Sequence, residues 1–125
     1  MRLLLDTNVA LWITTLRRPI PDATRHVIDH AAAVFVSAAS VWEIGIKVAI
    51  GKLDLDMDDM LQFFVASGFQ RLPVTWEHGR AVRDLPDIHR DPFDRLLVAQ
   101  AMTEPLHLVT GDRLLAQYSN LVIAI

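Results

Sequence analysis

Apolar positions in this chain fall into short runs separated by stretches with helical spacing. Leu3-Leu4-Leu5 is a short apolar run that stops at Asp6. From Asn8 to Leu16, apolar residues recur at 9, 12, 13 and 16, which is one face of a helix. Pro19 and Pro21 end that pattern, and Asp22 to Ala33 reads as a second helix with Pro21 near its first turn. Val34-Phe35-Val36-Ser37 is β-branched and aromatic and predicts a strand. Ser37 or Ser40 can cap a third helix running through Ile50, with Gly51 ending it. Asp54, Asp56, Asp58 and Asp59 gather near the start of a helix over Asp56–Ser67, where the helix dipole favours acids. Gly68 closes that helix, Phe69 to Val74 is a weak strand, and Thr75 caps a helix to about Asp84. Leu85 to Arg90 is a loop, and Asp91-Pro92-Phe93-Asp94 opens a strong helix through Met102. His107 to Thr110 is a strand, Gly111-Asp112 a turn, Asp112 to Gln117 a short helix and Leu121 to Ile125 a final strand. Strands separated by helices of this length predict an α/β sandwich, its mostly parallel central sheet flanked by helices. Sites in such sheets form beyond the carboxyl ends of the strands.

Composition narrows this picture. A chain of 125 residues, 52% hydrophobic and 22% charged, builds one domain with one real core, here residues 1–125. The absence of cysteine excludes a disulfide scaffold, a zinc ribbon, an iron–sulfur site and thiol catalysis, and suits a reducing cytoplasm. Apolar runs such as Ala31–Val36 fall far short of the roughly 20 residues of a membrane span. An acid at position 6 interrupts any signal-peptide core, so Met-Arg-Leu-Leu-Leu-Asp is expected to be the first strand of a soluble domain. The formal charge is −3, whereas a domain that holds nucleic acid by net charge is basic.

Candidate chemistry lies with four acids. Asp6 and Asp112 end strand segments, while Glu43 and Asp94 sit among apolar residues in Val41-Trp42-Glu43-Ile44 and Pro92-Phe93-Asp94-Arg95-Leu96-Leu97. A carboxylate in apolar surroundings needs a partner, and four at one sheet edge would repel each other unless a cation neutralised them. Oxygen ligands without Cys or His select Mg²⁺ or Mn²⁺ over zinc. Each acid also has a structural reading. Asp6 can bond the backbone of the turn that follows it. Glu43 can pair with Lys47 at i+4. Asp91 fits an N-cap before Pro92, which puts Asp94 in the first helical turn, and Asp112 can cap the short helix after it. For Asp91 the capping role accounts for the residue completely.

Four segments together resemble the PIN-domain ribonucleases, and among them the VapC toxins of bacterial type II toxin–antitoxin systems. They are Leu-Leu-Leu-Asp-Thr-Asn at 3–8, Ser-Ala-Ala-Ser-Val-Trp-Glu-Ile at 37–44, Asp-Pro-Phe-Asp-Arg-Leu-Leu-Val-Ala-Gln-Ala at 91–101 and Leu-Val-Thr-Gly-Asp at 108–112. They occur in the family's order and span nearly the whole chain. The Asp-Pro-Phe-Asp-Arg segment is the most specific of them. The resemblance implies a PIN-like three-layer sandwich and an acidic pocket of Asp6, Glu43, Asp94 and Asp112 that binds Mg²⁺ or Mn²⁺. It implies RNA phosphodiester cleavage by metal-activated water, with Thr110 helping to hold the water or metal shell and Asn8 a weaker candidate for the same place. It also implies a cognate VapB-type antitoxin and a homodimer.

Charge fits this reading. Setting the four site acids aside, of fifteen in all, leaves eleven acids against twelve basic residues, ten of them Arg. Arg17, Arg18, Lys47, Lys52, Arg90 and Arg95 are candidate phosphate contacts. The five His, at 26, 30, 78, 89 and 107, lack metal-ligand spacing and read as structural or surface residues, with His89 near enough to the Asp91 motif to touch substrate. Trp12 and Trp42 read as core, and Trp76 is ambiguous. Two alternatives stand beside the toxin. One is a PIN nuclease of RNA processing. The other is a receiver-like signalling domain, weakened because Thr7-Asn8 follows Asp6 where a receiver needs an adjacent acid, and because the last strand lacks a closing Lys.

Overall fold

The computed structural model describes all residues, 1–125. Five strands, β1 Arg2–Leu5, β2 Ala33–Ser37, β3 Gln70–Leu72, β4 His107–Thr110 and β5 Val122–Ala124, form one sheet in the order β3-β2-β1-β4-β5. Every neighbouring pair is parallel. The connecting helices are α1 Thr7–Thr15, α2 Asp22–Asp29, α3 Ala38–Ala49, α4 Met57–Ala66, α5 Trp76–Ala81 and α6 Pro92–Thr103. No helix is long and apolar enough to cross a membrane.

Alternation along the strands builds the three layers, because successive side chains of a strand face opposite ways. Leu3 and Leu5 of β1, Val34 and Val36 of β2 and Val109 of β4 point to one face, onto Val9 and Ala10 of α1, Ile44 of α3, and Met60 and Phe64 of α4. Leu4 and Leu108 point to the other, with Leu97, Val98 and Ala101 of α6 and with Leu115 and Tyr118. Burial on both faces explains why the central strand is the unbroken run Leu3-Leu4-Leu5, fully buried, rather than an alternating one.

The predicted elements are present, several with shifted bounds. The second helix stops at Asp29, because Ala33 is recruited into β2 opposite Arg2. The helix capped by Thr75 gives way after Ala81 to a 3-10 turn over Val82–Asp84. The third strand is only Gln70–Leu72, and Pro73 ends it by lacking a backbone donor. Of the two serines offered as a cap for α3, Ser37 does the capping, accepting from the Ala39 N–H at 3.0 Å.

Strand direction positions the site. β1 and β4 are parallel neighbours with Leu5 opposite Val109, so Asp6 and the Thr110-Gly111-Asp112 turn emerge at the same edge. From β1 the chain moves outward through β2 to β3, then returns to the other side of β1 as β4. The crevice between β1 and β4 is therefore the reversal point at which α/β sheets bind ligands.

Candidate active site

Asp6 leaves β1 and caps α1, its Oδ1 accepting from the Val9 N–H at 2.8 Å. Its Oδ2 accepts from the Thr110 hydroxyl, whose oxygen in turn accepts from the Asp112 N–H at 3.0 Å. One buried threonine thus ties the two strand-end acids together. Burial is the main cause holding the Asp6 carboxyl above the usual range; the Thr110 and Val9 hydrogen bonds oppose it, and the charges of Glu43 and Asp112 add to it.

Asp91 caps α6, accepting from the Phe93 N–H at 2.8 Å and the Asp94 N–H at 3.1 Å, with Pro92 at the first position. This cap aims Asp94 into the crevice. Burial first, then the charge of Asp91, lifts Asp94 to about 6; His89 opposes the rise, while Asp6 and Glu43 contribute to it. Asp94, Asp112 and His89 bring one ligand atom each within 4.8 Å of one another. Asp6 and Glu43 are not in that tight trio, yet their charges act on Asp94, so all four acids share one field.

Glu43, on α3, is mostly buried, and its Oε2 is bonded to Lys47 Nζ at 3.0 Å. Its Oε1 is buried without any hydrogen-bond partner. A buried carboxylate oxygen left unmatched beside three further acids is what a cation-binding crevice requires before loading. The donor set therefore fits a hard divalent ion, with oxygens of Asp6, Glu43, Asp94 and Asp112 available to hold it.

The PIN domain family model matches residues 3–121 of this sequence. The chain belongs to the PIN-domain family. Ribonuclease VapC22 of Mycobacterium tuberculosis is 29% identical over 128 aligned residues, covering 94% of this chain and 92% of that protein. Among solved structures, VapBC2 from Rickettsia felis bound to a DNA fragment from their promoter superposes with a TM-score of 0.74 at 14% identity, covering 100% of this chain and 98% of that one. A toxin–antitoxin complex from Klebsiella pneumoniae superposes with a TM-score of 0.67 at 14% identity, covering 98% and 96%. These likenesses carry the PIN fold, an α/β sandwich with a five-stranded parallel sheet, and the family membership removes the receiver alternative.

Several expectations for this PIN domain change. Trp42 is not core: it is 64% exposed on α3 and packs edge-on against Phe93 at 5.1 Å. Trp12 is partly buried, packed under the Arg18 guanidinium at 4.2 Å, and Trp76 is 93% exposed. Arg95 is no phosphate contact, since its Nη atoms bond the carbonyls of Pro86, His89 and Val82 and the Tyr118 hydroxyl. Lys47 is held by Glu43. Asn8 is exposed at the start of α1. His78 is structural, buried and bonded to Thr75 and to Glu104. His89, expected to be structural and near enough to touch substrate, stands inside the crevice beside Asp94 and Asp112. The signal available for it was its place two residues before the Asp91 cap, which ties its path to that of Asp94.

Proposed function

We propose that this PIN domain is a VapC-type endoribonuclease, the toxin of a VapBC-type toxin–antitoxin pair, and that it depends on Mg²⁺ or Mn²⁺. The observation that carries the reading is the convergence of Asp6, Glu43, Asp94 and Asp112 on the reversal point of the sheet, with Glu43 Oε1 buried and unmatched. The likeness to Ribonuclease VapC22 supports RNA as the substrate. When bound, the dication supplies Lewis acidity toward a phosphodiester and a water of lowered pKa.

The chain's own groups divide the work. Asp6, Glu43, Asp94 and Asp112 would hold the ion, and their oxygens would orient the attacking water. Thr110 fixes the Asp6–Asp112 spacing through its hydroxyl. Arg18 binds an RNA phosphate: its guanidinium lies over Trp12, 3.5 Å from where a side-chain carbon on Gly111 would sit, and it pairs with no acid. Phosphate that the bare acidic crevice repels is admitted once the crevice is neutralised. An antitoxin silences the enzyme in the cytoplasm, and the chain pairs with a second copy of itself.

The test is cleavage of an RNA pool by purified protein with Mn²⁺, with EDTA, and with Asp94→Asn, followed by sequencing of the new ends. Cleavage only by the unaltered protein with the ion supports the reading. Equal cleavage by Asp94→Asn refutes it. Growth arrest on expression, relieved by the co-expressed partner, separates the toxin from a processing nuclease, and light scattering reads the dimer.

A further inference from the structure

We propose that His89 is a positioning residue for Asp112: a fixed Nε2–H donor that aims this carboxylate, and not itself a ligand of the ion. The inference rests on the metal-dependent reading and deepens it. By distance alone, His89, Asp94 and Asp112 form a plausible three-ligand site. Hydrogen bonding argues otherwise. The Asp91 backbone N–H donates to His89 Nδ1 at 3.0 Å. That bond uses the Nδ1 lone pair, so the neutral ring carries its hydrogen on Nε2. Nε2 lies 2.9 Å from Asp112 Oδ2 and 3.5 Å from Asp94 Oδ2, so the hydrogen is donated to Asp112. An ion at Nε2 would need that lone pair free and the hydrogen moved to Nδ1, where it would face the Asp91 N–H.

Asp112 is consequently held at both oxygens. Oδ1 accepts from the Leu114 N–H at 2.9 Å, and Oδ2 from His89. Its carboxylate plane cannot turn, while each oxygen keeps a lone pair for a ligand. Partners of this kind orient a metal-binding carboxylate from outside the coordination sphere. The ring is itself rigidly mounted. The His89 N–H donates to the Tyr118 hydroxyl at 2.7 Å, and its carbonyl accepts from Arg95 at 3.3 Å. This mounting also gives Arg95 and Tyr118 their purpose beside the crevice. In the absence of an ion, the same Nε2–H lies between two carboxylates that would otherwise face each other bare.

The test uses two variants and two spectroscopies. His89→Gln keeps an N–H donor near the Nε2 position. His89→Asn keeps an acceptor for the Asp91 N–H but cannot reach Asp112. We expect His89→Asn to bind Mn²⁺ on the order of tenfold more weakly and to cleave RNA correspondingly more slowly, with the fold retained by circular dichroism, and His89→Gln to restore most of both. Long-range ¹⁵N–¹H spectra, assigned with His89→Gln, should show the Nε2–H tautomer with and without Mg²⁺. Electron spin-echo spectra of the Mn²⁺-loaded protein should lack the ¹⁴N coupling of a bound imidazole. An Nδ1–H tautomer, a direct ¹⁴N coupling lost in His89→Gln, or wild-type Mn²⁺ affinity in His89→Asn each overturns the proposal. If the unaltered protein binds no Mn²⁺, the nuclease reading falls, and the tautomer of the metal-free protein still decides the role of His89.

Discussion

Replacing Asp94 by Asn should stabilise the metal-free protein while destroying its activity. Asp94 titrates at about 6 in the fold against an ordinary value of 3.8, first because it is buried and then because Asp91 is close. A proton held in the folded state but released from the unfolded chain makes stability greatest below pH about 4. Stability then falls as pH rises toward 6 and levels off above it. Each pKa unit corresponds to about 1.4 kcal/mol, so the full gap corresponds to about 3 kcal/mol. The side chain is 26% exposed, and solvent screening brings the effect to about 1–2 kcal/mol. Asn keeps the shape, loses the charge, and leaves the Asp91 cap intact. With EDTA at pH 7.5, its Tm should exceed wild type by roughly 3–8 °C. The gap should shrink to about a third at pH 4.5 and approach zero only below pH about 3.8, where Asp94 is protonated in the folded and the unfolded chain alike. Added Mn²⁺ should raise the Tm of the wild type only. A lower Tm for the variant at pH 7.5, or a gap that ignores pH, would refute the reasoning.

Three further outcomes are expected. Gly111→Ala puts a carbon 2.5 Å from Trp12 Cη2 and 2.9 Å from Cζ3, so the indole must move; a loss of about 1–3 kcal/mol and altered tryptophan fluorescence are expected, and unchanged urea unfolding would contradict the clash. Arg95→Met removes one donor each from the Pro86, His89 and Val82 carbonyls, which keep the Ile88 N–H, the Tyr118 hydroxyl and the Leu85 N–H, and should cost about 1 kcal/mol in urea unfolding, with the salt dependence of RNA binding unaltered; the opposite pattern would return Arg95 to the phosphate contacts. Arg18→Gln should weaken RNA binding and lower the slope of log K against log salt by about 0.7, and an unchanged slope would remove Arg18 from the interface.

The strands and layer order were legible because burial on both faces forces continuous apolar runs, and Leu3–Leu5 and Val34–Val36 show them plainly. Asp6 and Asp112 were legible because parallel strands end at one edge. Glu43 and Asp94 stood out as acids in apolar company. Trp42 misled because α3 carries apolar residues around more of its circumference than the core covers; Ala39, Ser40 and Ile44 face inward while Trp42 does not. Arg95 and His89 escaped because their places are set by bonds to Tyr118, 23 and 29 residues away, which no local period reports. The end of the second helix escaped for a similar reason: the sheet competed for Ala33 and won.

Asp6 serves the crevice and the start of α1 with one carboxylate. Losing that cap alone costs about 1 kcal/mol, so truncation at this position damages architecture together with chemistry. On the proposed toxin function, mutants that escape growth arrest should accordingly divide into two kinds. Changes at Asp94 would accumulate as intact, inert protein still able to engage the proposed antitoxin, whereas truncations at Asp6 would survive through lowered abundance. Western blots of spontaneous escapees would sort the two, and the first kind supplies the better decoy for isolating that inhibitor.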